Sequence, residues 1–469
     1  MKFQFIYPGG TWATGMQHMP SDPFSPPLGI LYLSSCLEET GNSTGVIDYW
    51  SEKFDRDKLT NVLKNSDAVG ISITGFNLKE SIDICHFIKE IDKDIPLVVG
   101  GPHITLYPEK SLKECNADIA IVGEAETTID KIAESIQGKS KLKEIQGTYF
   151  FENNKIKHGK KPTMVKDLDK IPFPARHLVK DNDYGYLFGS KVGKGKVTSM
   201  LSSRGCPMSC RFCQRNFFGM NTFRQRSAEN VIDELKQIIE EGYRTVLFVD
   251  DNFLVDKKRA EKIMDGIIKE KLDIEMWAEA RVNSADEKLF RKMRKAGFRV
   301  IAYGIDGGNQ EVLDFYNKKT TISQIKKAVN MSRKMGFYTY GTFILGAPIE
   351  TEKHFEDSIN LAKSLPLDLV AFFVLEYGAG SPLWEEAIKE GKITRDEYLV
   401  FADSARNLGN FPKETIDSYA QRAHKEFYVR FSYFADQLLQ SFIRMDFRLV
   451  KALIKLAFKK DVTKSYWGE

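Results

Sequence analysis

Ten residues near the middle of the chain, Arg204-Gly205-Cys206-Pro207-Met208-Ser209-Cys210-Arg211-Phe212-Cys213, place three thiols within eight positions. Thiolates bind metal, and a Cys-x-x-x-Cys-x-x-Cys run suits two kinds of centre. With a fourth ligand it can hold zinc. Alone it can ligate three irons of a [4Fe-4S] cube, leaving the last iron open to a small chelating molecule. Zinc ligands usually come in closely spaced pairs, and the nearest downstream histidine is as far off as His354. The missing fourth ligand favours the cube. Arg204, Arg211 and Arg215 surround the thiols and suit a centre or ligand of negative charge.

The elements around this loop predict an α/β protein. An apolar run from Val197 to Leu201 precedes the thiols and reads as a strand. After them, strands are predicted at Thr245 to Val249, Glu275 to Ala280, Val300 to Ile305, Tyr338 to Leu345 and Leu369 to Leu375. Helical spacing fills the intervals at Ala228 to Gly242, Lys257 to Glu270, Ala285 to Gly297 and Thr321 to Gly336. Six β/α units fall short of a closed eightfold barrel, so residues 193–385 are expected to form a partial (β/α)6 barrel. Its working face is the carboxyl end of the strands, where the cysteine loop begins.

Residues 1–138 alternate in the same way. Apolar runs at Phe3 to Tyr7, Thr44 to Tyr49, Ala68 to Thr74, Pro96 to Gly100 and Ile119 to Gly123 predict a doubly wound, Rossmann-like parallel sheet. Such sheets take ligands beyond the carboxyl ends of their strands. Four short segments gather there: Pro8-Gly9-Gly10, Thr74-Gly75-Phe76-Asn77, Gly100-Gly101-Pro102-His103 and Gly123-Glu124. Glycine makes ordinary turns, but four such loops on one rim point to a bound ligand. Residues 139–192 read as a hairpin turning at Asn153-Asn154, then an extended linker with prolines at Pro172 and Pro174. Residues 386–469 are expected to be helical. There Leu438, Leu439, Phe442, Ile443, Phe447, Val450, Leu453, Ile454 and Phe458 recur at helical spacing beside Arg444, Arg448, Lys451 and Lys455. That pattern fits a helix docked on the barrel or one lying on a membrane surface.

The chain has 469 residues, 42% hydrophobic and 28% charged, with a net charge of +4. These values are ordinary for a multi-domain globular protein and give no indication of a nucleic-acid partner. The start, Lys2-Phe3-Gln4-Phe5-Ile6-Tyr7, is strand-like rather than a secretory leader, and Cys36, Cys85 and Cys115 are scattered. A cytoplasmic protein with reduced thiols is the expectation.

The cysteine spacing at the head of a partial barrel resembles the radical S-adenosylmethionine (SAM) superfamily. Further segments carry the resemblance: Leu247-Phe248-Val249-Asp250-Asp251-Asn252-Phe253 at the second strand, Trp277 with Arg281 at the third, and Gly304-Ile305-Asp306-Gly307-Gly308 at the fourth. Gly346-Ala347-Pro348-Ile349-Glu350-Thr351 and Ser381-Pro382-Leu383-Trp384 are similar to the family's later motifs. The first sheet and the linker Ile171-Pro172-Phe173-Pro174-Ala175-Arg176 resemble the cobalamin-binding subgroup, that of the class B methyltransferases.

The resemblance implies three cofactors: a [4Fe-4S] cluster on Cys206, Cys210 and Cys213, SAM on its open iron, and cobalamin on the first sheet. It implies that Phe212, Asp306, Gly307 and Gly308 lie along SAM, with Glu279 and Arg281 as further contacts unless those two form a structural ion pair. For cobalamin the candidates are Gly9, Gly10, Thr74, Phe76, Asn77, Gly100, Gly101, His103, Gly123 and Glu124, with Tyr49 also near the lower face. The Asp-x-His-x-x-Gly motif that gives cobalt a histidine elsewhere is absent, as is usual for this subgroup. His18, His86, His158, His177 and His424 lack ligand spacing and read as structural or exposed. The implied reaction is hydrogen abstraction by a 5′-deoxyadenosyl radical, then methylation of carbon from methylcobalamin, with cyclisation or rearrangement as the alternative. An external one-electron donor of flavodoxin or ferredoxin type is implied, and a lipid, tetrapyrrole or protein substrate. No residue is assigned to catalysis.

Overall fold

The computed structural model describes residues 1–9, 23–187, 190–214 and 222–458, with side chains as far as residue 454. Gly10, His18 and Arg215 lie outside the described residues. The chain forms two compact units, divided between Tyr184 and Gly185.

The first unit contains β1 (Lys2–Tyr7), α1 (Leu28–Glu39), β2 (Ser43–Asp48), α2 (Arg56–Leu63), β3 (Ala68–Ser72), α3 (Leu78–Ile91), β4 (Leu97–Gly100), α4 (Pro102–Leu106), α5 (Pro108–Glu114), β5 (Ile119–Ile121), α6 (Ile129–Ile136), β6 (Thr148–Glu152) and β7 (Lys155–His158). Strand order is β2-β1-β3-β4-β5-β6-β7. The first five strands run parallel, as the alternation of apolar runs and helices predicts. The hairpin β6–β7 adds two antiparallel strands to the β5 edge. Phe3 and Phe5 stack with ring centroids 4.8 Å apart, and Gly70 sits opposite Phe5 in β3. A Cβ on Gly70 would lie 2.7 Å from the Phe5 ring, so only glycine fits beneath that stack.

The second unit begins with the short hairpin β8 (Tyr186–Leu187) and β9 (Ser190–Lys191). It continues through β10 (Lys196–Met200), β11 (Ser203–Arg204), β12 (Arg224–Gln225), α7 (Ala228–Glu240), β13 (Tyr243–Phe248), α8 (Lys257–Lys269), β14 (Glu275–Ala280), α9 (Glu287–Ala296), β15 (Phe298–Asp306), α10 (Gln310–Phe315), α11 (Ile322–Lys334), β16 (Tyr338–Leu345), α12 (Glu352–Ser364) and β17 (Leu369–Val374). Six strands in the order β10-β13-β14-β15-β16-β17 pair in parallel, the open partial barrel that the sequence predicts. Its helices start where the sequence supplies caps. Ser227, Asp256, Asp286 and Thr321 each accept the backbone N–H three residues on. Aliphatic faces such as Ala260, Ile263, Met264 and Ile267 of α8 are buried at helical spacing.

Among the described residues four α-helices follow: α13 (Pro382–Lys389), α14 (Lys413–Tyr428), α15 (Phe431–Arg444) and α16 (Arg448–Phe458). On α14, His424 Nε2 accepts the Phe372 N–H at 3.1 Å and Tyr428 Oη donates to the Val370 carbonyl at 2.8 Å, which pins the helix to β17. Among the described residues no helix is long and apolar enough to cross a membrane.

Candidate active site and cofactor sites

The cysteine loop is held from three sides. Upstream, Asp250 is buried beyond β13 and accepts from the Ser202 N–H at 2.7 Å, Ser202 Oγ at 2.5 Å and Ser203 Oγ at 2.6 Å. Burial raises the pKa of Asp250 and these donors oppose the rise, so the carboxyl serves as an anchor for the chain entering the loop. From the β15 side, the Tyr316 carbonyl accepts the Arg211 N–H at 3.0 Å, and Asn317 Nδ2 donates to the Ser209 carbonyl at 2.8 Å. From α13, the Leu383 N–H donates to the Arg211 carbonyl at 3.0 Å, and Arg211 Nη2 meets Glu386 at 2.5 Å. The Ser381-Pro382-Leu383-Trp384 segment thus braces the loop. Arg211 spends its charge on Glu386 and on the Phe315 ring, 4.3 Å away.

Within the loop Cys210 is buried while Cys206 and Cys213 are half-buried, and none of the three is in a disulfide. The Cys213 N–H bonds the Cys210 carbonyl at 3.1 Å, closing the turn between them. Among the described residues no three His, Cys, Asp or Glu side chains converge on one ion. Burial pushes the Cys206 thiol up; the Met208 N–H and the Arg281 charge pull it down.

Behind the thiols lies a cluster of paired charges. Arg281, which follows β14, is buried, with Nη1 3.6 Å from Cys210 Sγ and Nη2 donating to the Lys318 carbonyl. Lys318 Nζ pairs with Asp306, and both side chains are nearly inaccessible to solvent. Asp306 ends β15 at φ 66°, where the register with β16 shifts. A left-handed aspartate at a strand end is a strained position held by its surroundings. Lys318 Nζ also lies 5.9 Å from the Phe212 ring, and Phe212 meets Tyr316 edge-on at 5.1 Å. Cys210, Phe212, Arg281 and Asp306 are therefore brought together. Lys318 joins them without having been singled out from the sequence. Glu279 is exposed, on the last turn of β14 before Arg281. The Gly308 N–H is used by Ser358 Oγ at 2.9 Å, and a Cβ there would stand 2.3 Å from Ser358 Cα, so this glycine packs the strand end onto α12. Glu350 Oε2 accepts the Gly346 and Ala347 N–H groups at 2.6 and 2.7 Å, which gives that motif the form of a closed turn after β16. Burial lifts Glu350 to about 7 against those bonds.

The first unit carries a cavity of about 220 Å³ at the carboxyl ends of its strands, walled by Ser72, Gly100, Gly101, Pro102, Gly123 and Glu124 among others. A Cβ on Gly100 would meet nothing closer than 3.9 Å, so its bare backbone opens onto the space. Gly101, at φ 108°, and Gly123, at φ 83°, turn the chain around it. A Cβ on Gly101 would sit 2.6 Å from the Ile73 carbonyl oxygen. A Cβ on Gly9 would likewise meet the Tyr49 carbonyl oxygen at 2.6 Å. Thr74 and Asn77 brace the rim: Asn77 Oδ1 accepts the Thr74 N–H at 2.7 Å, and its Nδ2 donates to the Pro8 carbonyl at 3.2 Å. Glu124 Oε2 accepts the Val165 N–H at 2.6 Å and tethers the segment after the hairpin. His103 is buried, and its ring pKa is lowered to about 4, first by burial and then by Lys110. Phe76 is exposed at the rim. Among the other histidines, His86 bonds the Glu114 carbonyl, His177 faces Glu38 and His354 caps α12.

Comparison with known proteins decides the family. The Radical SAM superfamily profile matches residues 200–362 and the B12 binding domain profile matches residues 21–133. An uncharacterized methyltransferase of Pyrococcus horikoshii is 31% identical over 414 residues, 86% of this chain and 88% of the relative. The chain belongs to the cobalamin-binding radical SAM enzymes. Another relative of this radical SAM enzyme, an anaerobic magnesium-protoporphyrin IX monomethyl ester cyclase of Rubrivivax gelatinosus, is 25% identical over 468 residues, 94% of this chain and 82% of the relative. The fold is shared with the cobalamin-dependent radical SAM enzyme OxsB, at a TM-score of 0.73 and 16% identity over 99% of this chain and 71% of that one.

The cofactors of a cobalamin-binding radical SAM enzyme are a [4Fe-4S] cluster, SAM and cobalamin. The residues present fit them. Three thiols on one loop, none in a disulfide, suit the cluster, buried opposite charges beside them suit a zwitterionic amino acid, and a glycine-walled cavity suits a bulky cofactor.

Proposed function

We propose that the protein is a cobalamin-dependent radical SAM C-methyltransferase. The observation that carries this reading is the bracing of the three-thiol loop by Asp250 and α13 directly above the buried cluster of Arg281, Lys318 and Asp306. When bound, the cluster supplies the electron that splits SAM into methionine and a 5′-deoxyadenosyl radical, and cobalamin supplies the methyl group. Cys206, Cys210 and Cys213 hold the cluster. Arg281 keeps a positive charge beside Cys210 and offsets the charge of a thiolate-bound centre. Asp306 and Lys318 present a carboxylate and an ammonium side by side, the complement of the amino and carboxylate groups of SAM. Phe212 offers loop backbone to the adenine. Gly100, Gly101 and Gly123 let backbone approach cobalamin closely, and His103, held neutral one residue after Pro102 of the wall, adds no charge there. The electron comes from a donor of flavodoxin or ferredoxin type, and the substrate belongs among lipids, tetrapyrroles or proteins. The likeness to a methyltransferase along most of both chains supports methylation over cyclisation.

The test is anaerobic reconstitution with iron, sulfide and hydroxocobalamin, followed by reduction with SAM. Bound cobalamin and release of 5′-deoxyadenosine are expected, and with a substrate supplied S-adenosylhomocysteine should form in a similar amount. Cys210→Ala should abolish the cluster spectrum and all 5′-deoxyadenosine. Failure to retain cobalamin, or cleavage that survives in Cys210→Ala, defeats the proposal.

A further inference from the structure

The helix α15 is inside out. A helix on a globular protein normally turns its apolar stripe to the core and its polar stripe to water. Here the buried positions are Tyr433, Gln437 and Ser441, spaced four apart. Polar bonds hold that face down. Tyr433 Oη donates to the Asp368 carbonyl at 2.7 Å, and Arg444 donates to Asp368 Oδ1 at 2.6 Å and to the Phe337 carbonyl at 2.7 Å. Asp436 pairs with Arg333. The opposite face is apolar and exposed: Phe431 is 90% accessible, Phe442 and Ile443 are each 63%, and Met445 just beyond the helix is 88%. Phe434, Leu438 and Leu439 continue the patch, and no charged side chain interrupts it. An uncharged surface of this size marks a contact with something apolar.

The charge around it identifies what that is. Residues 429–469 contain eight of the 68 basic and four of the 64 acidic residues, so this segment alone accounts for the whole net charge of +4. Asp436 pairs with Arg333, Asp446 with Arg448, and Arg444 with Asp368, so the pairs take up two acids and two bases of the segment and leave its surplus at +4. A second copy of the chain would bring the same positive segment against it, which opposes self-association through this face. A bilayer surface bearing anionic phospholipid matches both the apolar stripe and the charge. At 14 residues α15 is about 21 Å long, too short to span a bilayer but suited to lie along one.

We propose that the exposed apolar face of α15 docks the protein on anionic membrane surfaces. Its anchors, Asp368 before β17 and Phe337 before β16, are at the amino ends of the barrel strands. The cysteine loop opens from the other end, so docking leaves the chemical rim free. This inference does not depend on which reaction that rim performs.

The full chain should be sedimented with vesicles of phosphatidylcholine alone and of phosphatidylcholine mixed with phosphatidylglycerol. Binding to the anionic vesicles is expected to be at least about tenfold tighter and to weaken with salt. Phe442→Ser with Ile443→Ser, both at exposed positions, should lower that binding by about tenfold or more while the circular dichroism and thermal transition stay as in the parent. Absence of binding to anionic vesicles, or equal binding by parent and variant, overturns the proposal. So does a parent chain that sediments as a dimer, ignores vesicles and becomes monomeric in the variant, because the second copy would then be the occupant.

Discussion

The crevice of the first sheet is walled mostly by glycine backbone and aliphatic side chains around an open cavity, with Glu124 and Glu126 on one side, whereas the rim of the second sheet is filled with charges that already satisfy one another. Nothing needs to separate before a ligand enters the first. In the second, Lys318 holds Asp306 and Arg281 reaches Cys210, so a charged ligand must exchange partners with groups that are already paired. The two constructions suit the two cofactors. A bulky, largely uncharged macrocycle is recognised by shape, and a zwitterion by complementary charge.

The sharpest way to break the comparison is to remove one charge from the rim. Lys318→Met should leave Asp306 buried without its partner and cost about 3–5 kcal/mol of stability, measured by denaturant unfolding of the full chain. Lys318→Met combined with Asp306→Asn should recover most of that loss yet still fail to bind SAM in equilibrium dialysis. If the single variant is as stable as the parent, the rim does not depend on paired charge and the contrast with the crevice fails.

The matching change in the crevice replaces a hydrogen with a methyl group. Gly101→Ala forces a Cβ to within 2.6 Å of the Ile73 carbonyl oxygen at a backbone φ of 108°. Strain and overpacking together should cost about 2–4 kcal/mol and lower cobalamin retention, while the cluster spectrum of the second unit stays intact. Gly100→Ala, whose Cβ meets nothing closer than 3.9 Å, should be stable and test only the space left for the cofactor. Equal behaviour of the two variants would show that backbone conformation at Gly101 is not what shapes the crevice.

Both sheets were legible in the chain because strand and helix periods alternate cleanly, and the thiol loop was legible because its spacing is local. The roles of single polar residues were not. Thr74, Asn77 and Glu124 follow the carboxyl ends of β3 and β5, where their side chains spend hydrogen bonds on backbone, and no periodicity reveals which partner a polar group will find. Lys318 lies 12 residues after Asp306 and meets it only because α10 brings the chain back to the strand end. The segment 139–192 contains the hairpin read from Asn153-Asn154, yet its lysine-rich strands gave no sign that they extend the first sheet. For α15, periodicity defined two faces correctly and could not say which one turns inward. The buried carboxylate of Asp368 decides that, by drawing Arg444 and the polar stripe with it.

The smallest expected effect tests whether the ring next to the crevice stays neutral. His103 is a titratable ring beside a wall made mostly of backbone and aliphatic groups, and burial lowers its pKa from the ordinary 6.5 to about 4. Below pH 6.5 the unfolded chain binds the imidazole proton while the folded chain does not. The unfolded state then holds more protons, and stability falls as pH falls. The contribution is fully present above the unfolded value and is lost progressively from about pH 6.5 down to about 4. Urea unfolding of the full chain at about pH 7 and pH 5 should therefore show the parent losing about 1–2 kcal/mol more than His103→Gln over that interval. An unchanged gap between parent and variant would mean that the ring titrates freely in the fold. A positive charge would then stand next to the crevice in mild acid, in addition to the carboxyls of Glu124 and Glu126, and the contrast with the rim would narrow.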